Sequence, residues 1–169
     1  MPVLDNETYE LVGRVTLASA ELEYVAKETL CVFLGGELDK IMLLVADLSM
    51  ARVEDQLGRL CGQLGASDLD ESLGQWLGQA ERLRGHRNDI AHGIWALTTT
   101  AWFHDSENRD HLQRYRFGRR GAERGRIVEA PESWPVSKLQ QLVTDYQASE
   151  LHLIAIREAY EARSDAGER

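Results

Sequence analysis

Cysteine is scarce in this chain. Cys31 and Cys61 are the only two in 169 residues, and both sit among apolar residues of predicted helices. Their spacing fits no metal-ligand pattern, so buried free thiols are expected, ahead of a disulfide or a metal site. No apolar run approaches the roughly 20 residues that cross a bilayer. The opening residues Met1-Pro2-Val3-Leu4-Asp5-Asn6-Glu7 lack both the basic and the apolar region of a signal peptide, so a cytoplasmic protein without membrane contact is expected. A glycine-rich phosphate loop is absent. The histidines at 86, 92, 104, 111 and 152 show no zinc-ligand spacing, and neither metal nor cofactor is expected. No internal repeat breaks the chain. Residues 1–163 read as one helical domain and 164–169 as a frayed tail.

The net charge of −9 argues against a general nucleic-acid binder. Its distribution is uneven. Between Arg82 and Arg126 ten arginines face five acids, so this window carries +5 and the remainder −14. A basic middle on an acidic chain is compatible with a local phosphate-binding face, and arginine suits bidentate phosphate contacts. The plainer reading is that these arginines only solubilise a loop.

Helical spacing dominates the pattern. Leu11, Val15, Ala18, Leu22, Val25 and Val32 make one stripe on a long first helix, with Asp5 as cap and Gly35-Gly36 as stop. A short helix over Leu38–Ala46 follows. Ser49 can cap a third helix with Val53, Leu57, Leu60, Cys61 and Leu64 inward and Gly65 after it. Ser67 starts a fourth that ends near His92-Gly93. The stretch Ile94–Phe103 then turns β-branched and aromatic, Leu112–Phe117 alternates, and Arg126-Ile127-Val128 suggests a third strand. Gly118–Gly125 reads as a basic tip. After Trp134-Pro135, Ser137 caps a last long helix with Leu139, Leu142, Val143, Tyr146, Ser149, Leu153, Ile156 and Tyr160 on one face. The expected fold is all-α: an up-and-down bundle of four long helices plus a short one, with a β-hairpin or meander inserted at about 94–128 before the last helix. Glycines at 58, 62, 74, 78 and 85 each cost about 1 kcal/mol of helicity relative to Ala, so packing or a partner subunit must supply the stability.

The fourth helix carries the chemistry. Trp76, Ala80, Leu83 and Ile90 form its buried stripe, and Arg87 falls on that stripe between the last two. An inward guanidinium needs a carboxylate partner. Glu23 of the first helix is the candidate, with Glu21 the alternative. Asn88 and His92 are four apart and share a flank of the same helix. Each has an ordinary structural role open to it: a helix-surface amide for Asn88, and for His92 a histidine favoured by the helix C-terminus.

Arg87-Asn88-Asp89-Ile90-Ala91-His92 places an arginine, a polar residue, three more residues and then a histidine, and His92-Gly93-Ile94-Trp95 follows as the exit. This resembles the signature of HEPN domains, small all-helical domains of prokaryotic conflict systems. Leu22-Glu23-Tyr24-Val25-Ala26 with the following Leu30–Gly35, and Leu48-Ser49-Met50, are similar to the family's earlier helices. The resemblance implies a metal-independent endoribonuclease of a toxin–antitoxin or anti-phage defence system. It would work as a homodimer whose motif helices face each other, and an antitoxin or regulatory protein could restrain it. By that resemblance Arg87 binds the scissile phosphate, and Asn88 positions the substrate or His92. His92 serves as general base or general acid, and the product is a 2′,3′-cyclic phosphate. RNA contacts are expected from Arg84, Arg114, Arg116, Arg119 and Arg120. The tyrosine that follows the motif in members regulated by nucleotidyltransferases is absent here. The alternative is a non-catalytic HEPN-like module that dimerises or binds a partner or nucleotide.

Overall fold

The computed structural model describes residues 6–92, 94–97, 111–115 and 132–166. They form α1 (Asn6–Leu34), α2 (Leu38–Val45), α3 (Met50–Leu60), α4 (Ser67–His92), three strands β1 (Ile94–Leu97), β2 (His111–Tyr115) and β3 (Glu132–Pro135), and α5 (Val136–Asp165). The expected all-α bundle with a β excursion before its last helix is observed. None of these helices is long and apolar enough to cross a membrane.

Contacts along the helices set their directions. Glu28 of α1 binds Arg157 of α5 at 3.0 Å, and Phe33 meets Tyr160 edge-on, so the late turns of α1 and α5 lie together and the two helices run parallel. Asp68 at the start of α4 binds Arg163 near the end of α5, and further down Trp76 Nε1 donates to the Ser149 carbonyl and Tyr146 Oη to the Leu83 carbonyl. α4 therefore descends beside a rising α5. Glu54 early in α3 meets Arg84 late in α4, so α3 rises. Between them α2 folds back down α1, bringing the Ala46 carbonyl to Lys27 Nζ at 2.8 Å. Successive helices alternate up and down.

The core is the sum of the predicted stripes. Leu11, Val15, Ala18, Leu22 and Val25 of α1 are buried with Trp76, Ala80, Leu83 and Ile90 of α4 and Leu139, Leu142, Tyr146, Leu153 and Ile156 of α5. Each fully buried leucine or valine contributes about 1.5–3 kcal/mol, which is how a helix broken by surface glycines remains helical. Val32 of α1 and Leu60, Cys61 and Leu64 around the end of α3 are only half-buried, because α3 is short and lies at the rim of the bundle. Of the two free thiols, Cys31 is buried, whereas Cys61 is the C-cap of α3 and its Sγ lies 3.2 Å from the Asp70 carbonyl.

Helix ends differ in detail from the sequence expectation. Gly35 (φ 67°) after α1 and Gly62 (φ 87°) after α3 take the left-handed conformation that ends helices without steric cost, so α3 stops at Leu60 rather than at the expected Gly65, and Leu64 lies beyond it. Ser49 occupies the N-cap of α3 with extended backbone, but its hydroxyl makes no cap bond. Ser67 starts α4 as expected, but Pro135, not Ser137, is the N-cap of α5. Proline suits that place because the missing N–H would have no helical partner. α5 continues through Asp165, into the stretch expected to fray.

The strands make an antiparallel meander in the order β1-β2-β3, with Ile94 opposite Tyr115 and Leu112 opposite Trp134. The third described strand is Glu132–Pro135; the expected strand at Arg126–Val128 lies outside the described residues, as do Asp5, Gly93 and the basic tip at 118–125. Trp134 anchors the meander. It is buried, His86 of α4 packs edge-on against its ring at 5.7 Å between centroids, and Lys138 Nζ sits 3.5 Å from the ring centroid.

Candidate functional site

α3 begins only halfway along the bundle, level with Ser19 and Glu23 of α1. Below its first turn no helix among the described residues covers the groove between α1 and α4. The result is an open cleft of about 380 Å³. α1 contributes Ser19, Leu22 and Glu23 to it, and the start of α3 contributes Ser49, Met50 and Ala51. Its remaining wall is Ala80, Arg84, Arg87 and Asn88 of α4, with Tyr146 of α5.

This explains the first correction to the sequence reading. Arg87 does fall on the apolar stripe of α4, but the part of the groove it faces is uncovered, and the residue is exposed. It needs no buried partner. Its Nη1 donates to the Asn88 Oδ1 at 3.3 Å, a long bond between adjacent residues. Glu23 is not its partner: that carboxylate binds Lys27 at 2.9 Å on its own helix, one turn on. Glu21, the alternative, is exposed on α1.

The cation that does turn inward is Arg84. Its Nε donates to Glu54 Oε2 at 2.8 Å, and the Glu54 side chain is nine-tenths buried, whereas that of Arg84 is 31% exposed. Burial raises the Glu54 pKa from its ordinary value, and the Arg84 guanidinium opposes the rise. Glu54 Oε1 is buried without a hydrogen-bond partner. Burial likewise raises the Tyr146 phenol, with the charge of Arg87 acting the other way. Glu54 and Tyr146 were not singled out from the sequence as site residues. A signal for Glu54 existed: it follows Val53 and precedes Leu57 by three, which places a carboxylate at the edge of a buried face.

Of the residues expected to act, Arg84, Arg87 and Asn88 are brought together in one cleft. The backbone of His92 is the last turn of α4, one turn beyond Asn88; its side chain lies outside the described residues. Arg114 belongs to β2, with its side chain likewise outside them, and Arg116, Arg119 and Arg120 fall outside altogether.

Chemically, the cleft is suited to an anion. The first-turn amides of α3, at Met50 and Ala51, have no intrahelical acceptor, and a helix N-terminus carries partial positive charge. Arg87 and Asn88 supply donors opposite them. Glu23 is the opposing carboxylate, and Lys27 offsets it.

Comparison with protein-family models, with curated proteins and with solved structures finds no match.

Proposed function

We propose that this chain is a HEPN-like, metal-independent endoribonuclease. The observation that supports this reading most is the cleft in which exposed Arg87 and half-buried Asn88 stand beside the first turn of α3, while Arg84 is tied to Glu54. Arg87 would bind the scissile phosphate and offset the charge that builds on it. Asn88 would orient the substrate. His92, one helical turn further, would take the proton of the ribose 2′-OH or give one to the leaving 5′-oxygen. The 2′-oxygen bonds to phosphorus as the bond to the 5′-oxygen breaks, leaving a 2′,3′-cyclic phosphate. One histidine cannot be base and acid in the same step, so a homodimer supplies the second. A toxin or anti-phage role, with a neutralising partner, fits such an activity.

A non-catalytic module that binds a partner or nucleotide is the second reading. It is favoured by Glu23 in the cleft wall beside Arg87 and by the −14 carried outside the basic window. Incubation of the purified protein with single-stranded RNA in the presence of a chelator separates the two. The expected result is fragments ending in a cyclic phosphate, with His92→Ala and Arg87→Ala each slower by about 10²-fold or more, the size of a general acid–base contribution. Intact RNA with the wild-type dimer, and normal growth of cells expressing it, overturns the ribonuclease reading.

A further inference from the structure

The cleft has two chemically opposite walls. On the α4 side stand donors: the exposed Arg87, the Asn88 amide, whose Oδ1 is already taken by Arg87, and beside them the first-turn amides of α3. Arg84 on the same side is engaged by Glu54. On the α1 side stand acceptors. Glu23 Oε1 is held by Lys27 Nζ at 2.9 Å, and Oε2 takes no hydrogen bond from the described residues. One turn earlier, the Ser19 hydroxyl donates to the Thr16 carbonyl at 2.8 Å, so its oxygen meets the cleft only as an acceptor. Lys27 does not break this pattern. Its side chain is pinned between Glu23 and the Ala46 carbonyl and does not line the cleft. Between the walls the floor is apolar: Leu22, Ala80 and the ring of Tyr146, whose hydroxyl is used on the Leu83 carbonyl.

A ligand that fits carries an anion at one end, donors at the other and a flat apolar body between. The cleft's volume of about 380 Å³ suits a small ligand. Unstacked RNA bases are read on the edge away from the sugar, and the four differ there. Guanine sets two donors side by side, N1–H and the N2 amine. Adenine and cytosine each set one amine beside a ring-nitrogen acceptor, and uracil holds one N–H between two carbonyls. Only guanine matches a wall of acceptors, because a carboxylate takes both of its donors in charge-assisted bonds.

We propose that Glu23 selects a guanine base, with Ser19 beside it, while Arg87 and Asn88 hold the phosphate of the same or the adjoining nucleotide. The inference rests on the ribonuclease reading for the phosphate at Arg87. It also gives Glu23 a part in that reading, since a carboxylate that disfavours phosphate on its own wall favours a base with paired donors there.

Calorimetric titration of the purified chain with the four nucleoside 5′-monophosphates tests the readout without chemistry. Guanosine monophosphate should bind at least about tenfold tighter than the others, within the range of a bidentate base contact. Inosine monophosphate, which lacks the N2 amine, should lose most of that advantage. The 7-deaza analogue of guanosine monophosphate should keep it, because readout by the arginines would use N7 and O6 instead. Glu23→Gln is the decisive variant. Its pair with Lys27 is an i,i+4 helix contact, which contributes little to folding, and circular dichroism checks that the fold is retained. An amide offers one acceptor and one donor, so the preference should pass from guanine to adenine and cytosine. A purely structural Glu23 would weaken all four alike. Equal affinities in the wild type, a guanine preference that depends on N7, or one that survives Glu23→Gln, overturns the proposal. Cleavage of mixed-sequence single-stranded RNA, with the cut ends sequenced, is scored separately, and cuts beside guanine are expected. Cuts without base preference overturn this proposal and leave the ribonuclease reading standing. Guanine-selective binding without cleavage does the reverse.

Discussion

Arg84 and Arg87 stand three residues apart on one helix and live in different surroundings. Arg84 is held by a buried carboxylate from α3, and its charge is spent on the fold. Arg87 faces solvent across the cleft and, among the described side chains, hydrogen-bonds only to its neighbour Asn88. The difference has a simple source: α3 starts at Met50 and rises, so it reaches Arg84 and not the turn beyond. An arginine on an apolar stripe is therefore structural or available to a ligand according to whether a neighbouring helix is long enough to cover it. Higher on the same helix the cover is complete. Trp76 is fully buried and its indole N–H donates to the Ser149 carbonyl at 3.0 Å.

The contrast can be broken in stages. The largest loss is expected where cover is complete. Trp76→Ala should cost about 3–5 kcal/mol, as for other buried tryptophans, measured by urea unfolding. Arg84→Ala comes next. Removing one partner of a fully buried pair costs about 3–5 kcal/mol, and because Arg84 is about a third exposed a loss of about 2 kcal/mol is expected. Arg87→Ala should stay within about 0.5 kcal/mol of wild type, as for surface positions, while RNA cleavage falls. If Arg87→Ala destabilises the fold as much as Arg84→Ala, the two arginines do not differ in role.

The subtlest effect concerns pH. The folded pKa of Glu54 is raised, so the folded chain holds a proton that the unfolded chain has released. Stability contributed by this group is full below the ordinary carboxylate pKa and is lost as pH rises through the raised value. Glu54→Gln removes that dependence while keeping an acceptor for Arg84. Between the ordinary carboxylate pKa and the raised one, wild type should lose stability with rising pH relative to Glu54→Gln. Parallel pH profiles of unfolding in the two proteins measure it, and identical slopes count against a raised Glu54.

Much of the fold was legible because it is written in periodicity. The stripes on α1, α4 and α5 place most of their buried residues correctly, only Val32 and Tyr160 near the helix ends being half-buried, and the change from helical to alternating spacing after His92 marks the meander. What misled was local chemistry without its neighbours. Ser137 looked like a cap, but Pro135 two residues earlier already ends the strand and opens the helix. Glu23 looked like a partner for Arg87, but Lys27 is one turn away on the same helix and reaches it first. Glu54 was passed over because a carboxylate beside a stripe is ordinarily solvated, and only the approach of α4 buries it.

For the stretch Arg84–His92, sequence alone determined that a guanidinium, an amide and a histidine succeed one another at the end of a long helix, since helical spacing follows from the chain itself. Which guanidinium would be neutralised was decided by the tertiary structure. That outcome depends on where α3 begins and which way it runs, and no pattern within α4 contains that information.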